Sequence, residues 1–307
     1  MEVLGHQKQL NILNRSMEKN KLSQAYLFVG PSNVGKFLVA QNFAAKLVGG
    51  GKIENNPDII IIKPEGSAEK EAGSTEKKKK TSSKREIKID QIRELQKKLG
   101  LFSQGGKYRV AIIDEAERLN RQAQNGLLKT LEEPNDSSII ILVAKNTEKL
   151  LPTIISRCQK IKFGPVAGAE IEEWIKQKNI SFSGRKEKER IIFWSLGRPG
   201  LILKMADDKT ELDFREEALA DFEKLLGRNV PEKFSLAEEM AKDRELAVKK
   251  MNLWLIILRQ TLLGKDVLKI SAGKSLEIAE RIQKSLEIIQ DTNSNTRLIL
   301  ENLFLIF

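Results

Sequence analysis

Residues 25–47 read Ala-Tyr-Leu-Phe-Val, then Gly30-Pro-Ser-Asn-Val-Gly35-Lys36, then Phe-Leu-Val-Ala-Gln-Asn-Phe-Ala-Ala-Lys-Leu. The first five form a short apolar run closed by Gly30-Pro31, and Leu38, Phe43 and Leu47 recur at helical spacing, so the stretch predicts strand, loop, helix. The loop matches GxxxxGK. Its glycines let backbone N–H groups close around phosphate, its lysine neutralises the outer charge, and the following helix turns its positive end toward the anion. The candidate nucleotide-binding residues are therefore Gly30, Pro31, Asn33, Val34, Gly35 and Lys36. Position 37 breaks the pattern, because the usual Ser or Thr hydroxyl binds Mg²⁺ and Phe37 has no oxygen. The loop is expected to hold no productive Mg²⁺ and to take ATP or ADP at most as a passive ligand.

Working outward, Ile59 to Ile62 are four consecutive isoleucines after Pro57-Asp58, and they predict a strand buried on both faces. Arg109 to Asp114 and Ile139 to Ala144 read as further buried strands, and the helical patterns at 89–99 and 122–132 fall between them. Short buried strands alternating with helices as far as Phe163 predict an α/β fold with a parallel sheet covered on both sides. Asp114-Glu115 stands at a strand tip, where an Asp can hold a metal-bound water and a Glu can polarise an attacking one. After Phe163 only amphipathic helical segments follow: 171–178, 187–196, 214–226, 246–263, 276–289 and 296–307. Residues 64–86, polar and rich in Ser, Gly and Lys, predict a disordered insertion.

The 307 residues carry 53 Lys+Arg against 42 Asp+Glu, a net charge of +11. That balance suits a polyanionic partner without requiring one. With 40% hydrophobic residues, the chain can bury a core and is not wholly disordered. The N-terminus shows no basic-then-apolar signal pattern and no apolar run reaches membrane-spanning length, so a cytoplasmic protein is expected. Cys158, the single cysteine, excludes an internal disulfide framework, and His6, the single histidine, leaves no His-based triad. Cys158 is read as a buried spacer and His6 as a structural residue.

Leu127-Leu-Lys-Thr-Leu-Glu-Glu-Pro134, the strand after it, and Ser156-Arg157-Cys158 resemble the clamp-loader branch of the AAA+ ATPases. Leu4-Gly5-His6, Gln24 to Phe28 and Asn295 to Leu305 extend the likeness over nearly the whole chain. The resemblance implies a P-loop α/β domain over 1–163, a small helical lid over 164–206 and an all-α collar over 207–307 that joins subunits into a ring. It implies gamma/tau and delta clamp-loader subunits as partners, and contact with the sliding clamp and primer-template DNA through the assembled ring. Phe37, with Asp114-Glu-Ala-Glu-Arg-Leu-Asn120 leading into Ala123-Gln-Asn125, favours a stator-like subunit over the gamma/tau motor. Lys145 at the first sensor position and Gly197-Arg198-Pro199-Gly200 at the second do not match the motor subunits. The Lys-rich insertion stands where many clamp-loader subunits carry a four-cysteine zinc module, so no zinc is expected. Arg157 falls where the family places an arginine finger, which supplies a guanidinium to the γ-phosphate held by the next subunit.

Three function classes follow. The leading one is an assembly subunit of the DNA polymerase III clamp loader, donating Arg157 in trans and having no ATPase or polymerase activity of its own. The second is a gamma/tau-type motor hydrolysing ATP with Lys36, Asp114 and Glu115 despite Phe37. The third is a helical DNA-binding protein whose P-loop domain is vestigial.

Overall fold

A computed structural model of the chain describes residues 3–51, 53, 56–64, 85–101, 107–265, 267–291 and 294–307. The segment expected to be disordered lies outside the described residues except for 64, 85 and 86. The first elements are α1 (Gln7–Glu18), β1 (Ala25–Val29), α2 (Lys36–Leu47), β2 (Ile59–Ile62) and α3 (Ile89–Leu99). They continue with β3 (Arg109–Ile113), α4 (Arg121–Glu132), β4 (Ser138–Ala144), α5 (Pro152–Arg157) and β5 (Gln159–Lys162). The strands form one parallel sheet in the order β2-β3-β4-β1-β5.

Alternate residues of each strand serve opposite cores, as the two-residue pleat requires. Ala25 and Leu27 of β1 face the layer that buries Ile92, Leu95, Leu127 and Ile154, whereas Tyr26 and Phe28 face Leu13, Val39, Phe43 and Leu47. This two-sided burial explains why β1, β3 and β4 are solid apolar runs. The isoleucine strand is buried on both faces as expected at Ile59 and Ile60, which join opposite core layers, and departs from that only at Ile61. β2 is at the sheet edge, and Ile61 is 36% exposed.

The chain divides into two compact units, Met1–Leu203 and Lys204–Phe307. The first also contains α6 (Gly168–Gln177), α7 (Arg185–Ser195) and the start of α8 (Pro199–Asp207). The second consists of the end of α8, α9 (Lys209–Gly227), α10 (Val230–Ala241), α11 (Arg244–Leu262), α12 (Ala272–Asp291) and α13 (Thr296–Phe304). Its core is aromatic: Trp254 lies edge-on to Phe222 with ring centroids 5.7 Å apart, and its indole N–H donates to the Ala218 carbonyl at 2.7 Å. A Leu stripe at the C-terminus splits as its spacing predicts. Leu300 and Leu303 are buried, and Leu298 and Leu305 are exposed. Among the described residues no helix is long and apolar enough to cross a membrane.

Candidate functional site

The loop after β1 lies at the carboxyl end of the sheet, beside the strand pair where chain order reverses, and ligand crevices of open α/β sheets form there. Gly30 is obligatory: its φ is 157° and a Cβ there would lie 2.1 Å from the Phe163 carbonyl oxygen. Gly35 caps α2 with φ 103°, in the left-handed region that favours glycine. Lys36 is only 7% exposed, and its ammonium donates to the carbonyls of Gly30 at 2.6 Å and Pro31 at 2.7 Å. Burial lowers its pKa to about 8, against the opposing pull of the Glu117 and Asp114 carboxylates.

Two distant parts of the chain hold the same loop. His6 Nε2 donates to the Val34 carbonyl at 2.8 Å, and its ring meets Phe163 edge-on at 5.0 Å. The Gly200 N–H, in the first turn of α8, donates to the Asn33 carbonyl at 3.0 Å. The structural role expected of His6 is thus a direct bond to the phosphate loop.

Where a metal ligand belongs, the site is apolar and cationic. Phe37 packs into the core layer on its side of the sheet, and the Lys63 ammonium lies 5.0 Å from its ring centroid. Asp114 is one residue beyond β3, and its N–H donates to the Ile62 carbonyl at 2.9 Å. Burial raises the Asp114 pKa and the neighbouring Glu115 charge adds to this; the Glu115 N–H bond to Oδ1, Lys63 and Lys36 act the other way. Glu115 has φ 49° and pairs with Arg118. Glu117 accepts the Lys145 N–H at 3.1 Å, and Arg198 Nε donates to the Ser195 carbonyl at 3.0 Å. Among the described residues no three His, Cys, Asp or Glu side chains are grouped to hold a metal, and the residue after Lys36 presents a ring where a hydroxyl oxygen would ligate Mg²⁺.

A cavity of about 580 Å³ opens beside the loop. Val3, Leu4, Trp174 and Leu203 contribute apolar surface, while Lys36, Asp114, Arg118 and Lys145 contribute charge. Its volume is within the range of small-molecule sites, and an apolar wall with a charged phosphate loop fits a nucleoside phosphate.

Arg157, the last residue of α5, does not line that cavity. Its Nη2 is 2.8 Å from Glu132 Oε1, and its Nη1 donates to the Thr153 carbonyl at 3.0 Å. Cys158 packs against the adjoining core layer, and burial pushes its thiol pKa up to about 12, which fits a spacer and not a nucleophile.

Residues 5–167 match the family model described as DNA polymerase III, delta subunit. The chain belongs to this family. Within it the likeness runs to delta' sequences. DNA polymerase III subunit delta' of Bacillus subtilis is 34% identical over 188 residues, covering 56% of this chain and 51% of that protein. The delta' subunit of Pseudomonas aeruginosa is 31% identical over 170 residues, covering 50% of this chain and 47% of that protein. The tau subunit of Bacillus subtilis is 33% identical over 174 residues, covering 55% of this chain but 30% of its own length. The matches thus span about half the length of the delta' relatives. The fold is a five-stranded parallel α/β sheet domain followed by helices, as the sequence led one to expect.

The structure brings together the eight loop and strand-tip residues named from sequence and adds Lys63 and Glu117 to them, while Gly200 of the second-sensor stretch bonds the loop directly and Glu132 joins Arg157 away from it. Lys63 carried no usable signal in the sequence, because its place over Phe37 depends on where β2 sits in the sheet.

Proposed function

We propose that this chain is a clamp-loader subunit of the replicative DNA polymerase III holoenzyme, stator-like, presenting Arg157 to a nucleotide held by an adjacent ATPase subunit. The observation that carries the reading is Phe37 beneath the Lys63 ammonium at the metal position, in a chain of this family. Without a hydroxyl ligand there is no productive metal, and without the metal the charge developing on a transferred phosphoryl group is not neutralised. Lys36, Asp114 and Glu115 then serve a site that holds ATP or ADP passively. Arg157 offers a rigid forked cation suited to phosphate oxygens, at an edge away from its own chain's cavity.

In this reading residues 164–206 are a lid and 207–307 a collar. The partners are the gamma/tau and delta subunits, with the sliding clamp and primer-template DNA engaged through the hetero-oligomeric ring. The test is reconstitution with candidate delta and gamma/tau subunits. The isolated chain is expected to hydrolyse ATP negligibly. In the ring, Arg157→Ala is expected to leave assembly intact and sharply lower clamp- and DNA-stimulated ATPase, since fingers contribute about 10³–10⁵ in rate in other phosphoryl-transfer systems. Motor-like turnover by the isolated chain, abolished by Lys36→Ala, would reverse the assignment.

A further inference from the structure

Arg157 is anchored twice, by the Glu132 carboxylate 2.8 Å from Nη2 and by the Thr153 carbonyl, which accepts from Nη1 at 3.0 Å. Glu132 ends α4, and Thr153 and Arg157 belong to α5. The two helices share one core layer, in which Leu127 and Leu131 are buried with Leu150 and Ile154. The carboxylate and the guanidinium are therefore carried by elements that are fixed with respect to each other. Both side chains remain open to solvent, 49% and 35% exposed, so the pair adds little to stability.

A guanidinium has five N–H donors in one plane, so it can keep both anchors and still offer donors to an anion. The end of α4 also favours a cation, because its last carbonyls carry partial negative charge. An exposed arginine without such anchors would sample many rotamers, and few of them would aim its fork at one point.

We propose that Glu132 is a positioning residue for Arg157. Its carboxylate fixes the guanidinium plane so that the remaining donors face phosphate oxygens of a nucleotide on the neighbouring subunit. The inference rests on the trans-acting role proposed above. Glu132 touches neither nucleotide nor metal. It acts on the fraction of time the fork is aligned, so its effect belongs in kcat.

The experiment uses the reconstituted clamp loader with full-length chains carrying Glu132→Ala, Glu132→Gln or Arg157→Ala, or either Glu132 variant combined with Arg157→Ala. The kcat and KM for ATP are read in the presence of clamp and primed DNA. Glu132→Ala is expected to lower kcat about tenfold with KM within about twofold, the size of effect that misplacing a group by a fraction of an ångström can produce. Glu132→Gln keeps an acceptor oxygen and is expected to fall only about two- to threefold. In the Arg157→Ala background, Glu132→Ala should change nothing further, and the melting temperature of the single variant should stay within about 2 °C. A wild-type kcat for Glu132→Ala in a ring that Arg157→Ala slows would overturn the positioning role and leave the finger standing. An equal loss in both backgrounds, or a rise in KM alone, would overturn it as well. No effect of Arg157→Ala would instead remove the reading on which it rests. Should the alanine variant fail to assemble, Glu132→Gln decides: a loss confined to the Arg157 background supports the role, and no loss overturns it.

Discussion

The Lys63 ammonium lies 5.0 Å over the centroid of the Phe37 ring, one residue beyond the strand that pairs with the strand leading to Asp114. A ring face attracts a cation, and a half-buried pair of this kind contributes about 0.5–1 kcal/mol. The charge that a divalent ion would bring beside Asp114 is thus supplied by the chain itself. ADP should bind the wild-type protein equally well with Mg²⁺ or with EDTA. Phe37→Ser alone should not create a metal site, because the ammonium remains; with Lys63→Ala added, Mg²⁺ should tighten ADP by about tenfold, or 1.4 kcal/mol. Calorimetric titrations showing Mg²⁺-dependent binding in the wild type would contradict this.

Lys36 should give a pH dependence of definite sign. Its folded-state pKa is about 8 against an ordinary 10.5, so the fold disfavours the protonated amine. That disadvantage is fully present below pH 8 and is relieved as the pH rises to 10.5. Stability due to this residue should increase across that window by at most about 3 kcal/mol. The quantity to measure is the difference in urea unfolding free energy between wild type and Lys36→Met. A difference independent of pH would remove the argument.

Asp58 and Arg109 form a buried pair, with side chains 2% and 5% exposed and Oδ1 3.1 Å from Nη2. Arg109 Nη1 also donates to the Lys98 carbonyl at 2.5 Å. Asp58→Ala leaves a guanidinium charge inside the sheet and should cost about 3–5 kcal/mol in urea unfolding. Adding Arg109→Met should recover much of that loss. A double variant no more stable than the single one would show that the loss has another origin.

The sheet was legible because a parallel strand covered on both faces must be apolar at every position, and β1, β3 and β4 are. The isoleucine strand was legible on the same ground at Ile59 and Ile60, which are buried in opposite layers, and only the exposure of Ile61, at a strand with a neighbour on one side only, depends on strand order, a tertiary fact. Among the helices, α1 buries only Leu13, which dilutes its stripe. Pro231 in the first turn of α10 and Pro199 at the start of α8 resemble breaks, although proline suits a first helical turn. At the site, GxxxxGK announced itself. Lys63 did not, because its meaning depends on β2 lying next to β3, and the partnership of Glu132 with Arg157 depends on how α4 packs on α5.

Leu298 and Leu305 are 60% and 51% exposed on or just after a helix whose Leu300 and Leu303 are buried. If this helix belongs to a collar, these two leucines are contact residues. Leu298→Ser with Leu305→Ser should change monomer stability by less than about 0.5 kcal/mol per site and weaken incorporation into the ring, measured by sedimentation. Incorporation at wild-type affinity would place the interface elsewhere.

The carbonyls of Gly30, Pro31, Asn33 and Val34 already accept from Lys36, Gly200 and His6. In a ligand-gated protein, the arriving phosphate recruits such segments, and their movement announces the ligand elsewhere. Here they are docked beforehand. On the stator reading proposed above, a nucleotide entering this cavity should gather little further chain around itself, so its heat-capacity change should be small, limited to the ligand's own apolar surface. Such a subunit would report nothing of its own occupancy, and the ring could move against it as against a fixed anvil.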